Sequence, residues 1–217
     1  SRPGSSSDGK GAAPAGRGLT PTRRRRRAVS RTLADVGYVE VNPMTFVSPE
    51  IWDQFGLDAD DVRRQTVKVV NPLEAERNEM TTTLLPGLLE ALARNVSRGL
   101  RDVSLFHVGQ VVLPKAQQIP MPSVGVHERP TDAEIATLKA ALPQQPVHVA
   151  AVLTGTRQRP GWWGKGESAT WADAVQAAHE VAAAAGVELT VQAGSLMPWH
   201  PGRCAELRVG DWPVGHA

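Results

Sequence analysis

The stretch NPLEAERNEMTTTLLPGLLEALARNVSRG, residues 71–99, decides how the rest of the chain is read. Leu85, Leu88, Leu89, Leu92 and Val96 recur at helical spacing on one face, while Glu90, Arg94 and Arg98 form an i, i+4, i+8 ladder on the other. Thr81-Thr82-Thr83 offers the caps that such a helix needs at its start. Before it, Val67-Lys68-Val69-Val70 reads as a short strand stopped by Asn71-Pro72. A strand, a turn and an amphipathic helix therefore stand next to one another.

Upstream, Thr20-Pro21 supplies an N-cap and a first-turn proline, and Val29, Leu33 and Val36 follow at i, i+4 and i+7 before Gly37. The spacing predicts a helix of about four turns. Tyr38 to Asn42 then alternates as a strand, and Pro43 breaks the ladder before Met44 and Phe46, which implies an edge, a bulge or an interface. Downstream, Val103 to Leu113 reads as a strand with Gly109 inside it. Residues 114–146 carry six prolines around one short helix, which the capping box Thr131-x-x-Glu134 opens. Beyond them the pattern predicts a strand at 147–153, a helix from Trp171 to Ala185 closed by Gly186, a strand at 187–192 and a hairpin around Gly210-Asp211. The chain divides into a flexible linker at 1–18, a first core part at 19–113, the Pro-rich insertion at 114–146 and a second core part at 147–217. The fold class expected is α+β, a mainly antiparallel sheet flanked by helices.

The 217 residues are 41% hydrophobic and 21% charged, enough apolar material for a core. No apolar run approaches the ~20 residues of a membrane helix. One cysteine, Cys204, excludes an internal disulfide framework and a multi-cysteine zinc site and suits a reducing compartment, so a soluble, cytoplasmic chain is expected, with no membrane partner. The net charge of +2 hides an asymmetry: nine Lys/Arg against two Asp in residues 1–35, fifteen against twenty in the remainder. Only the entry segment is basic, and composition alone does not make this a nucleic-acid-binding protein.

The helix, glycine turn and proline-bearing strand of residues 31–44 resemble the first motif of class II aminoacyl-tRNA synthetases. Residues 71–89, 105–112 and 199–206, in that order and spacing, are similar to the catalytic-like module of bacterial phenylalanyl-tRNA synthetase beta subunits. The resemblance covers about residues 19–217 and implies a class II synthetase-like core, here C-terminally truncated. It implies a non-catalytic copy of the fold that scaffolds the alpha subunit of an alpha/beta heterotetramer, a ligase charging tRNA with phenylalanine. ATP and magnesium then serve the whole enzyme, with none bound by this segment, and tRNA is a partner of the whole complex. Two departures stand out: Thr81 where the family usually has Arg, and His107 and Gln110 where it commonly has Glu and Arg. A free-standing RNA- or protein-binding module built from a synthetase core is the alternative.

Amino-acid activation needs cations aimed at the α-phosphate of ATP. With Gly109 matched to the family glycine, the second-motif Arg falls at Leu113, and no glycine-rich third motif ending in Arg occurs. Losing one such contact costs on the order of 3 kcal/mol, about a hundredfold in rate. No catalytic residue is therefore expected. Pro43, Met44 and Phe46 are candidates for a subunit interface or, equally, for a buried edge strand. In the run Arg23–Arg27, the residues Arg23, Arg24 and Arg27 are candidates for tRNA phosphates or for a solvated, partly intersubunit face; Arg25 and Arg26 point toward the side of Val29 and Leu33. His148, His200 and Cys204 match no zinc spacing, and no metal ligand is assigned. Trp162-Trp163 reads either as a base-stacking pair or as a cap over a core or interface, and His200-Pro-Gly-Arg203 as an anion cradle or a plain tight turn.

Overall fold

The computed structural model describes residues 18–115, 123–125 and 127–217; the linker predicted at 1–18 lies almost entirely outside them, as do Pro120 and Pro122 of the insertion. The elements in chain order are α1 (Pro21–Asp35), β1 (Val39–Glu40), β2 (Phe46–Val47), α2 (Glu50–Gln54), β3 (Glu79–Met80), α3 (Leu85–Ser97), β4 (Val103–Gln110), α4 (Asp132–Ala141), β5 (Val147–Thr154), β6 (Thr156–Gln158), β7 (Glu167–Ser168), α5 (Trp171–Ala185), β8 (Thr190–Gly194), β9 (Cys204–Val209) and β10 (Trp212–His216). They form an α+β architecture with two three-stranded sheets, ordered β1-β4-β5 and β10-β9-β8, and two small two-stranded ribbons, β2-β3 and β6-β7.

β4 sits at the centre of the first sheet and is covered on both faces. Phe106 and Val108 point into one cluster with Val29 and Leu33 of α1, Tyr38 and Ala177 of α5. Val103 and Leu105 point the other way, into a cluster with Leu88 of α3. The antiparallel ladder to β5 keeps this alternation, with Phe106 opposite Ala151 and Leu105 opposite Val152. A third cluster, Val47, Trp52, Phe55 and Leu57, packs under the 46–57 segment. There Trp52 donates its Nε1–H to Oε2 of the buried Glu79 at 3.2 Å, which satisfies a carboxylate otherwise costly to bury. Arg63 ties the β8–β10 side to the body, clasping Asp61 through two nitrogens and donating to the Met197 carbonyl at 2.5 Å. That clasp holds the Asp61 carboxyl below its usual range.

Several sequence expectations shift. β1 pairs with β4 in parallel, Val39 opposite Leu105, a pairing that no crossover pattern in the sequence announces. The strand expected at 67–70 shrinks to one bridge, Lys68 to Glu79, because Asn71-Pro72 turns the chain away at once. The strand from Val103 ends at Gln110, and the one expected at 187–192 begins at Thr190. Thr81–Thr83 do not cap α3, whose N-cap is Leu84 with no side-chain bond. Thr82 instead donates its hydroxyl to the Arg63 carbonyl at 2.6 Å, and Thr81 donates to the carbonyl of Thr83. Glu90 pairs with Arg77 at 2.8 Å rather than along its own helix. The helix at Trp171–Ala185, closed by the left-handed Gly186, and the β9–β10 hairpin over Gly210 stand where the pattern puts them.

His107 on β4 is buried, and its Nδ1–H donates to the Val41 carbonyl at 2.9 Å, which fixes the tautomer. Gly109 leaves room for the ring: a Cβ there would stand 2.2 Å from Nε2. Burial pushes the His107 pKa below the ordinary histidine value, the Arg26 charge lowers it further, and the Val41 bond and Glu40 oppose this. Burial lowers His148 and His216 as well. The unfolded chain then takes up protons at a pH where the folded one does not, so stability is full above the unfolded histidine pKa of about 6.5 and falls as the pH drops toward the depressed folded values. Between about pH 7.5 and 5 the melting temperature is expected to fall, and in His107→Asn to fall less, His148 and His216 leaving a remainder. An unchanged pH dependence in that variant would remove His107 from this account. Gly109→Ala is expected to destabilise by about 1–3 kcal/mol, since the boxed-in ring has nowhere to go.

Candidate functional site

α1 opens on Thr20, whose Oγ1 accepts the Arg23 N–H at 3.3 Å, and continues through Pro21. Its first turn holds no acidic residue but begins the five-arginine run, against the preference of a helix N-terminus for negative charge. Of the five, Arg26 is committed: its Nη2 donates to the Val108 carbonyl of β4 at 2.9 Å, in agreement with the side assigned to it from spacing. Arg23, Arg24 and Arg27 are exposed, and among the described residues none of them makes an ion pair. Arg31, exposed and one turn beyond Arg27, extends the same face. The sequence reading stopped at the unbroken run and missed it, although the i, i+4 step from Arg27 pointed to it.

At the end of α1 the chain reverses at Gly37, φ 96°, and Tyr38 closes the turn by donating its N–H to the Leu33 carbonyl at 2.9 Å. Tyr38 is buried, and burial raises its phenol pKa. Beyond it, Val39 and Glu40 lie on β4, and the Val41 N–H donates to the Phe106 carbonyl at 2.9 Å. Pro43 then leaves the sheet and rests on α3, where Gly87 makes the approach possible: a Cβ on residue 87 would stand 2.7 Å from the Pro43 Cβ. The three predicted interface residues thus divide. Pro43 and Phe46 are half-buried against their own chain, Phe46 in the β2–β3 ribbon opposite Met80, while Met44 is 51% exposed. Val39, not singled out from sequence, is 60% exposed beside the buried Tyr38. The signal was present, because Tyr38, Val39 and Val41 make this strand apolar on both faces and one face of the sheet can bury only alternate residues.

After β4 every backbone N–H of residues 111–113 finds an acceptor. Val111 donates to the Pro146 carbonyl at 3.1 Å, Val112 to Thr81 at 3.0 Å, and Leu113 exchanges bonds with Gln144 at 2.8 and 3.0 Å. The position that sequence comparison assigns to a phosphate-gripping cation is therefore an aliphatic side chain in a closed bridge. The departures at 107 and 110 are a buried histidine and an exposed glutamine whose Nε2 reaches the Gln145 carbonyl at 3.4 Å. His148 lies on β5, His200 in the turn before β9, and Cys204 is buried at the start of β9. Among the described residues no group of three His, Cys, Asp or Glu side chains gathers at metal-binding distance. The segment His200–Arg203 is a tight turn, Arg203 donating its N–H to His200 at 2.9 Å, and it leads straight into β9. Trp162 and Trp163 cover no core in this chain: they are 94% and 56% exposed on the loop between β6 and β7.

Solved structures similar to this one are two pyrrolysyl-tRNA synthetases of Desulfitobacterium hafniense, each at TM-score 0.53. They are 13% and 15% identical and are covered over 57% and 56% of their chains, against 90% and 88% of this one. This likeness shows the fold, a class II synthetase-like α+β core. Curated relatives share far more sequence. The phenylalanine--tRNA ligase beta subunits of Mycolicibacterium paratuberculosis and Nocardia farcinica are 57% and 56% identical over 205 residues, and that of Streptomyces avermitilis is 56% identical over 196. These matches cover 94%, 94% and 90% of this chain, which spans about a quarter of each relative's length. The family model described as the phenylalanyl tRNA synthetase beta chain CLM domain matches residues 10–217, and the chain belongs to that family.

Proposed function

We propose that this segment is a non-catalytic, class II synthetase-like module that scaffolds the catalytic alpha subunit of a cytoplasmic phenylalanine-tRNA ligase. The observation that carries the reading is Leu113, locked against Gln144 where a class II enzyme needs a cation for the ATP α-phosphate. ATP is the co-substrate of such a ligase and magnesium its metal; at Leu113 this segment offers an aliphatic side chain, which cannot grip a phosphate. Chemistry then belongs to the partner, and this fold contributes surface.

The surface best suited to the alpha subunit is the outer edge of β1 and the turn after it. Val39 and Met44 stand exposed there, and the half-exposed Leu89 and Val96 share a face of α3, whose Gly87 seats Pro43. Apolar side chains left exposed on an edge strand and in the turn after it favour a covered interface over a solvated surface. The division of the chain into core parts at 19–113 and 147–217 around the 114–146 insertion belongs to this reading. The unpaired Arg23, Arg24 and Arg27 favour a second contact, with tRNA phosphates, since like charges packed on one helix gain most from a polyanion.

Phenylalanine-dependent ATP–pyrophosphate exchange by the full natural chain carrying this segment is expected only after the alpha subunit is added; exchange by that chain alone would place a catalytic site in it and end the proposal. Val39→Glu together with Met44→Glu is expected to weaken alpha/beta association at least tenfold, about 1.4 kcal/mol or more, in sedimentation. Unchanged association would return the β1 edge to a solvent-facing role. Replacing Arg23, Arg24 and Arg27 by Gln is expected to reduce the salt slope of tRNA binding to the assembled enzyme by about two to three. An unaltered slope would leave those arginines solvated or intersubunit.

A further inference from the structure

β6 and β7 form a hairpin whose tip, Gly161-Trp-Trp-Gly164, is built to display indoles rather than to bury them. Gly161 and Gly164 exchange backbone hydrogen bonds at 2.9 and 3.1 Å and close the loop. Trp163 is pinned: its Nε1–H donates to the Arg159 carbonyl at 3.2 Å, and its ring lies so close to Gly161 that a Cβ there would stand 2.7 Å from it. Trp162 stands edge-on to that ring, centroids 5.7 Å apart and planes at 79°, and is 94% exposed. Gly166, φ 77°, completes the return; a Cβ on it would stand 2.5 Å from the Gln158 carbonyl oxygen. Two large apolar rings held in water by this much local geometry lack any partner within the described chain.

The charges around the tip distinguish what would cover it. Residues 156–166 carry Arg157, Arg159 and Lys165 and no acid. Arg157 is occupied by Asp173 and the Val36 carbonyl, but the Arg159 side chain is 79% exposed, its one acidic neighbour Asp102 at 3.9 Å, and Lys165 is exposed. Glu167, on β7, stands opposite Gln158 at the base of the loop, and Thr156 opposite Ser168 forms the foot of the hairpin. At that foot a cavity of about 660 Å³ opens beside Gly155 and Thr170, with the 70%-exposed Trp171 and Arg203 on its wall. Aromatic faces for bases flanked by exposed cations for phosphates are a means by which proteins hold single-stranded nucleic acid.

We propose that the β6–β7 hairpin is a stacking platform for unpaired RNA, Trp162 and Trp163 taking bases and Arg159 and Lys165 taking the flanking phosphates. Within the proposed ligase that RNA is an unpaired stretch of the tRNA, so the identity of the ligand rests on that reading while the platform itself does not.

The test uses the full-length natural chain assembled with its alpha subunit and two probes, a phenylalanine tRNA transcript and a short oligouridylate. Trp162→Ala with Trp163→Ala is expected to weaken tRNA binding about tenfold or more and leave the salt slope unchanged, because stacking releases no counterions. Trp162→Phe with Trp163→Phe is expected to recover most of the affinity, and Arg159→Gln with Lys165→Gln to lower the salt slope by about one to two. Oligouridylate binding lost in the alanine variant, with tRNA no ligand of the parent, would keep the platform and overturn the ligase reading. Unchanged binding of both probes would overturn the platform. So would an alanine variant that separates into subunits, since the indoles would then be a protein contact.

Discussion

Burial of β4 on both faces is the constraint on which the other elements depend. A strand with Leu105 at 5% exposure, Phe106 at 0%, His107 at 6% and Val108 at 1% can exist only between two covering layers. α1 and α5 supply one and α3 the other, and the alanines of α5, Ala177, Ala184 and Ala185, let two helices share the space over Phe106 and Val108. One strand thereby sets the depth of three helices. The small satellite core around Trp52 meets this block through Leu85 of α3, and Arg63 ties the β8–β10 side to the 46–64 segment through the Met197 carbonyl.

The same constraint delivers the proposed functional surface. Because β1 spans only two residues along a longer β4, the β4 backbone beyond its end needs other partners. Arg26 takes the Val108 carbonyl, and His107 reaches across to Val41. These two bonds fix the start of α1 and the exit of β1 relative to one strand. The exposed arginines and the exposed Val39 and Met44 are therefore held in a set relation by groups that are themselves buried or tied down. A surface meant to receive a partner loses less freedom on binding when its supports are already rigid.

Much of the architecture was legible because its signals are local. Thr20-Pro21, Gly37, the Thr131–Glu134 box and Gly186 each satisfy or terminate a helix with groups a few residues away, and all stand where the pattern places them. What escaped depends on distant partners. The parallel pairing of β1 is set by α1 packing on the far side of β4, and nothing within residues 38–42 encodes it. Thr81–Thr83 look like caps by composition, but the fold uses the Thr82 hydroxyl to fasten Arg63, nineteen positions earlier. Of the site, the arginine run and Met44 were visible by type and spacing. The exposure of Trp162 was not, since a hydrophobic residue in a loop carries no mark of whether its own chain will cover it.

In the proposed scaffold, shape and phosphate chemistry rest on different supports. The sheet needs apolar side chains and closed backbone bonds between β4 and β5, and the backbone bridge from Leu113 to Gln144 adds one more such pairing beyond the end of β4. A cation at this position gains its value only when a phosphate faces it; without one, a partly buried guanidinium carries a desolvation cost with nothing to offset it. Leucine at 113 removes that cost. In the proposed scaffold the surface that matters moves from the floor of the sheet to its β1 edge and to the β6–β7 tip. There the exposed side chains are apolar or cationic, and the glycines at 87 and 161 hold the backbone close enough to present them.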